Sequence, residues 1–198
     1  LVDRAAMGRL YAVEPTAEMR ALARQALAPY PNCTVLDGPA EALPLPDASV
    51  DLIAVAQAIH WFEPAAARAE FRRVARPGAR LALLCNRGTD EMLGHALADL
   101  LVEENGVDTE RAARRPESQP PHFYYGEARP LLQTFPFVLH EPWKVFLGSL
   151  RSASFTPDEG HPCYPRFERA AHGVFERLSV GGLLEVRGET ELIVGPVG

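Results

Sequence analysis

Apolar residues along this chain fall into short runs set between turn signals. The clearest early run is Val50 to Ala56, VDLIAVA, fed by the turn Asp47-Ala48-Ser49. A nearly unbroken apolar run of this length predicts a strand buried on both faces, as in a parallel sheet. Before it, Arg9 to Val13 and Thr34 to Leu36 read as two shorter strands, the second turned by Asp37-Gly38-Pro39. Between those strands Met19, Leu22, Ala23, Ala26 and Leu27 recur at helical spacing, with Thr16 as the expected N-cap, Glu18 in the first turn and Pro29 as the stop. After the central run, Pro64 suits a first helical position. Ala67, Phe71 and Val74 then mark one helical face opposite Arg68, Arg72 and Arg73, and Pro77-Gly78 is expected to end the helix. Ala79 to Cys85 predicts a further buried strand. Strands and helices alternating at this pace imply right-handed crossovers and a mostly parallel α/β sheet.

The texture changes after Asn86. Leu93, Leu97, Leu100 and Leu101 make an amphipathic helix ending near Asn105-Gly106, and residues 107–122 are polar and proline-rich, with a loose cluster of Arg111, Arg114 and Arg115. Such a cluster is usually a solvated face. Phe135 to His140 predicts a strand, Trp143 to Leu150 a short helix, and Ser152 to Pro157 a loop. Phe167, Ala171, Val174, Phe175 and Leu178 mark an amphipathic helix stopped by Gly181-Gly182. Finally, Leu184 to Val194 alternates apolar and charged positions, which predicts an antiparallel strand with one wet face near the edge of the sheet.

Composition narrows the picture only a little. Of 198 residues 47% are apolar and 23% charged, ordinary for a globular protein with a real core. The net charge of −6 argues against a nonspecific nucleic-acid or anionic-membrane surface. No apolar stretch approaches the ~20 residues of a membrane span. Cys33, Cys85 and Cys163 are odd in number and widely spaced, with no CxxC. That argues against a disulfide framework or zinc cluster and for a reducing, cytoplasmic compartment. His161-Pro162-Cys163 could supply two metal ligands, but no second pair completes a site, so no metal is expected.

Candidate chemistry gathers where strands end. Glu14 closes the first strand, and a carboxylate there can accept both hydroxyls of a ribose. Its plain alternative is a surface acid before a proline. Ala40 and Glu41 follow the second strand, where backbone could read an adenine edge or simply begin a helical turn after Pro39. Gln57, His60 and Trp61 follow the central strand, at the carboxyl edge where open α/β sheets bind ligands. Packing under the next helix is the competing role for His60 and Trp61.

Taken together, residues 9–86 resemble a class I S-adenosylmethionine-dependent methyltransferase of the small-molecule type. The resemblance rests on YAVEPTAEM, GPAEALPLPDASVDLI, AQAIHWF and FRRVARPGARLALL in that order, and the tail from RSASFTP to ETELIVG is similar to the C-terminal half of bacterial members. AQAIHWF is similar to its counterpart in trans-aconitate methyltransferases. The resemblance implies a Rossmann-like doubly wound sheet with an antiparallel C-terminal strand and a helical cap. The expected domains are a cofactor-binding core over residues 1–86, a cap over 87–182, and a returning core strand over 183–198. It also implies S-adenosylmethionine as cofactor, with Glu14 on the ribose, Ala40 and Glu41 at the adenine, and Gln57 near the methionine moiety. His60 is the candidate base, and the partner is a small-molecule methyl acceptor.

Two departures from the family pattern matter. Pro39 stands where the family often has an acid, and no GxGxG occurs anywhere, so the family's first βα unit is absent from the front. The expectation is that the chain is an incomplete record of a longer protein, with bare strand edges where that unit would pair. Rival readings are a nicotinamide-dependent oxidoreductase, which also uses an acid at the end of its second strand, and a methyltransferase-like binding module without turnover.

Overall fold

The computed structural model describes residues 8–102, 105–109, 120–153 and 155–198. The apolar runs form strands β1 (Leu10–Val13), β2 (Cys33–Leu36), β3 (Val50–Ala56), β4 (Ala75–Gly88), β5 (Leu131–Pro142) and β6 (Leu183–Pro196). Periodic stretches form helices α1 (Ala17–Leu27), α2 (Pro64–Val74), α3 (Glu91–Leu100), α4 (Trp143–Arg151) and α5 (Tyr164–Leu178). The fold is mixed α/β with mostly parallel strands and an antiparallel one, as expected. β1 and β2 pair in parallel, with Leu10 opposite Cys33 and Val13 opposite Leu36. The remaining strands form a second sheet in the order β3-β4-β6-β5, so β6 lies one strand in from the edge and β5 is the edge itself.

Helix starts follow local chemistry. Pro64 opens α2 and the Glu63 carboxylate caps it, accepting from the Ala65 and Ala66 amides; Asp90 caps α3 by accepting from Leu93 at 2.9 Å. At α1 the expected cap fails, because the Thr16 side chain makes no capping bond. The Glu14 carboxylate instead accepts the Thr16 N–H at 2.8 Å.

Three expectations are corrected. β3 is not buried on both faces. Among the described residues it has β4 as its single neighbour, and although Val55 is buried, Leu52 is 47% exposed. The apolar stripe of α1 is likewise uncovered, with Met19 and Leu22 more than half exposed. Two paired strands of four residues offer too little surface to bury it. Finally, α2 stops at Val74 rather than at Pro77-Gly78. Ala75 is already extended, and both Pro77 and Gly78 lie inside β4, Gly78 with a φ of 85° that a side chain would resist. Arg111, Arg114 and Arg115 lie outside the described residues.

The chain divides into two compact units, Leu1–Ala82, Ser118–Pro130 and Val194–Gly198 in one, Leu83–Glu117 and Leu131–Ile193 in the other. The core of the first is built from Ala67, Phe71 and Val74 of α2 with Leu81 of β4 and the buried pair Tyr124 and Tyr125. The core of the second gathers α3, α4 and α5 around Phe167 and Ala171, both fully buried. Every position that the amphipathic pattern assigned to the inner face of α5, apart from the half-buried Leu178, is among its buried residues. In the second unit β4 and β6 are also tied by side chains, Arg87 to Glu191 at 2.7 Å and the Thr190 hydroxyl to Asn86 at 2.8 Å.

Candidate functional site

The site begins where β1 ends. The Glu14 amide donates to the Leu36 carbonyl at 3.2 Å, which carries the β1–β2 pairing one residue further and fixes the direction in which the chain leaves the sheet. Glu14 itself is half-buried, and its Oε1 is held by the Thr16 amide. Oε2 makes no hydrogen bond among the described residues, so one carboxylate oxygen is anchored and the other is available to a ligand. Arg20, one turn into α1, reaches back beneath this turn to the Glu14 and Pro15 carbonyls and to Asp37 after β2.

The loop after β2 is tight and heavily tied down. A side chain at Gly38 would meet the Pro44 ring at 2.8 Å, so this position requires glycine for close approach. Glu41 Oε1 accepts the Glu63 amide at 2.6 Å, joining this loop to the start of α2. Further along, Arg73 donates to the Leu43 carbonyl at 2.9 Å and the Leu45 carbonyl at 2.8 Å, and pairs with Asp47 and Glu70 at 2.7 Å each. Glu70 in turn accepts the Leu43 amide at 2.8 Å. The hydrogen bond from Arg73 holds the Glu70 carboxyl below its ordinary value, and Arg73 is correspondingly raised.

At the end of β3, Gln57 adopts a left-handed backbone with φ 53°. A non-glycine residue there is strained, and such strain concentrates where a chain is bent for function. The reversal leads into a short turn, Ile59–Trp61, in which the half-buried His60 ring stands 5.1 Å from the half-exposed Trp61 ring. Phe62 packs edge-on against Phe71 of α2 at 6.2 Å. Tyr124 is a residue that sequence reasoning missed. Its buried ring lies 6.1 Å from Phe71, and burial, with the Glu63 and Glu41 carboxylates adding to it, pushes its hydroxyl pKa up. It therefore stays protonated as a donor. The run His122-Phe123-Tyr124-Tyr125 carried no periodic or motif signal that could have assigned it to this neighbourhood.

A carboxylate at the end of β1, a backbone loop after β2 and a reversal after β3 lie on a mixed α/β fold that resembles those of methyltransferases of known structure. Residues 1–83 match the family described as a methyltransferase domain. Among curated relatives, an uncharacterized methyltransferase of Mycobacterium bovis is 51% identical over 83 residues, 42% of this chain and 32% of that protein. One from Schizosaccharomyces pombe is 46% identical over 57 residues, 29% of this chain and 23% of that protein. The match thus spans about a third of the bacterial relative or less. Among solved structures, a type II methyltransferase from Anaeromyxobacter dehalogenans is 26% identical with a TM-score of 0.56, over 95% of this chain and 79% of that one. The YcgJ protein of Bacillus subtilis shares the fold at 18% identity and a TM-score of 0.53, over 95% of this chain and 82% of its own.

Proposed function

We propose that the protein transfers a methyl group from S-adenosylmethionine to a small-molecule acceptor. The observation that carries this reading is Glu14, a strand-end carboxylate with one oxygen anchored by the Thr16 amide and the other without a hydrogen-bond partner among the described residues. A ribose diol offers two donors to such a group. When bound, S-adenosylmethionine supplies a sulfonium methyl group that is already a good electrophile. The chain's own residues then need to supply binding, proximity and orientation. Glu14 holds the ribose hydroxyls, Ala40 and Glu41 border the adenine, and Gln57 borders the methionine moiety. Because Glu41 Oε1 already accepts the Glu63 amide, its share in adenine recognition falls to Oε2 or to its backbone. His60 takes the acceptor's proton on a ring nitrogen as the acceptor attacks.

The three cysteines are free thiols, which supports a reducing, cytoplasmic setting. No helix of the described residues is long and apolar enough to cross a membrane. Calorimetric titration with S-adenosylhomocysteine tests the reading. A charge-assisted hydrogen bond contributes about 1.5–3 kcal/mol, so Glu14→Ala should weaken binding about ten-fold or more. Unchanged affinity would remove Glu14 from the site, and no binding by the wild-type protein would remove the cofactor reading.

A further inference from the structure

We propose that Arg20 is the positioning residue for the ribose-binding carboxylate, an inference that rests on the reading of Glu14 given above. Arg20 sits on α1, six residues beyond Glu14, on a helix with no buried residue of its own. Its side chain is nonetheless only 12% exposed, because the guanidinium folds back under the β1–α1 turn. There Nη1 donates to the Glu14 carbonyl at 3.0 Å and to the Pro15 carbonyl at 2.5 Å, while Nη2 pairs with Asp37 at 3.0 Å. One cation thus clamps the last carbonyls of the β1 end to the first acidic residue after β2.

Two observations separate this from an ordinary ion pair. The partner Asp37 is 68% exposed, so the pair by itself is weak; the backbone carbonyls do most of the holding. In addition, the Arg20 Nε is buried without a hydrogen-bond partner among the described residues. A buried charge with an unsatisfied donor is costly, and an apolar residue would pack under this turn without that cost. What the guanidinium does supply is direction. The carbonyls it holds belong to Glu14 and to the proline that follows, so the backbone bearing the Glu14 side chain is fixed on one side by Arg20. The carboxylate is fixed on the other side by the Thr16 amide. A lysine could not reproduce this, because a single ammonium lacks the planar fork that reaches three acceptors in two directions.

The test combines equilibrium binding of S-adenosylhomocysteine with residue-resolved amide hydrogen exchange of the ligand-free protein, using Arg20→Met, Arg20→Lys, Glu14→Ala and the double variant Glu14→Ala/Arg20→Met. Arg20→Met should lose about ten-fold in affinity, comparable with Glu14→Ala, and Arg20→Lys should recover only part of it. In the Glu14→Ala background Arg20→Met should cost less than about two-fold more, since coupled residues are non-additive. Exchange at the Thr16 amide should accelerate about ten-fold or more in Arg20→Met while amides of β3 and β4 keep their rates. Full affinity with slow Thr16 exchange in Arg20→Met, or an equal loss with and without Glu14, overturns the proposal. Should Arg20→Met not fold, Arg20→Lys decides, because it keeps the charge and loses the fork; wild-type affinity and exchange there would overturn the proposal equally. The failures are distinct: no binding by the wild type removes the cofactor reading, unaltered binding in Glu14→Ala removes Glu14 from the site, and normal Thr16 exchange in the Arg20 variants removes the clamp alone.

Discussion

His60 is where a single side chain separates two accounts of the site. It follows a strained residue, Gln57, and its ring stands 5.1 Å from that of Trp61, while Phe62 packs against Phe71 of α2. As the base, His60→Ala should lower turnover by roughly 10²–10⁴ while cofactor affinity stays near wild type. A variant that loses melting temperature but keeps its rate per folded molecule would return His60 to a packing role. Gln57, by contrast, was legible in the sequence only as a polar residue at a strand end. Its left-handed backbone could not be read from composition, since such conformations are enforced by the surrounding chain rather than by residue type.

At the scale of elements, the loop between β2 and β3 is gripped by α2 through Arg73 and Glu70. Sequence reading set Arg73 on the face of α2 opposite Ala67, Phe71 and Val74; the side chain is half-buried against the loop. The pattern gives no sign that its guanidinium reaches back to residues 43–47, because such contacts link positions about thirty apart. The grip depends on pH in a defined direction. Glu70 has a lowered pKa in the folded chain, so its stabilising share is present above the ordinary value of 4.5 and is lost as pH falls through the lowered one. Acid titration of stability should therefore show a loss below about pH 4.5 in wild type that Glu70→Gln largely lacks. Parallel acid profiles for the two proteins would show that the Glu70–Arg73 contact does not hold the loop.

For the whole molecule, element order and type were legible because each strand and helix carries its own period and its own turn signals. Burial was legible for α2 and α5 but not for β3 and α1, which show why. An apolar run states what a strand could bury, whereas neighbours decide what it does bury. Among the described residues β1 and β3 each have one paired edge and one open edge, and Leu52, Met19 and Leu22 stand exposed in the same unit. Open apolar edges favour pairing between molecules. The 198-residue chain should therefore associate in a concentration-dependent way at micromolar levels, and Leu52→Lys should weaken that association. Sedimentation of a sharp, concentration-independent monomer would count against it.

The order β3-β4-β6-β5 also has a consequence during synthesis. The ribosome makes β5 some forty residues before β6, yet among the described residues β6 is the only strand that β5 pairs with. Until β6 emerges, Leu131, Leu132, Phe135, Val138 and Leu139 belong to a strand with no partner. A nascent chain at that stage presents an uncharged stretch from Leu131 to Leu139, interrupted by Pro136, of the kind that holding chaperones bind. Chains arrested before Leu183 should be cut by protease within residues 131–142, and chains arrested far enough beyond Gly198 to free β6 should be protected there. Equal protection in both would mean that β5 finds cover earlier than its place in the sheet allows, and equal cleavage that pairing with β6 does not protect it.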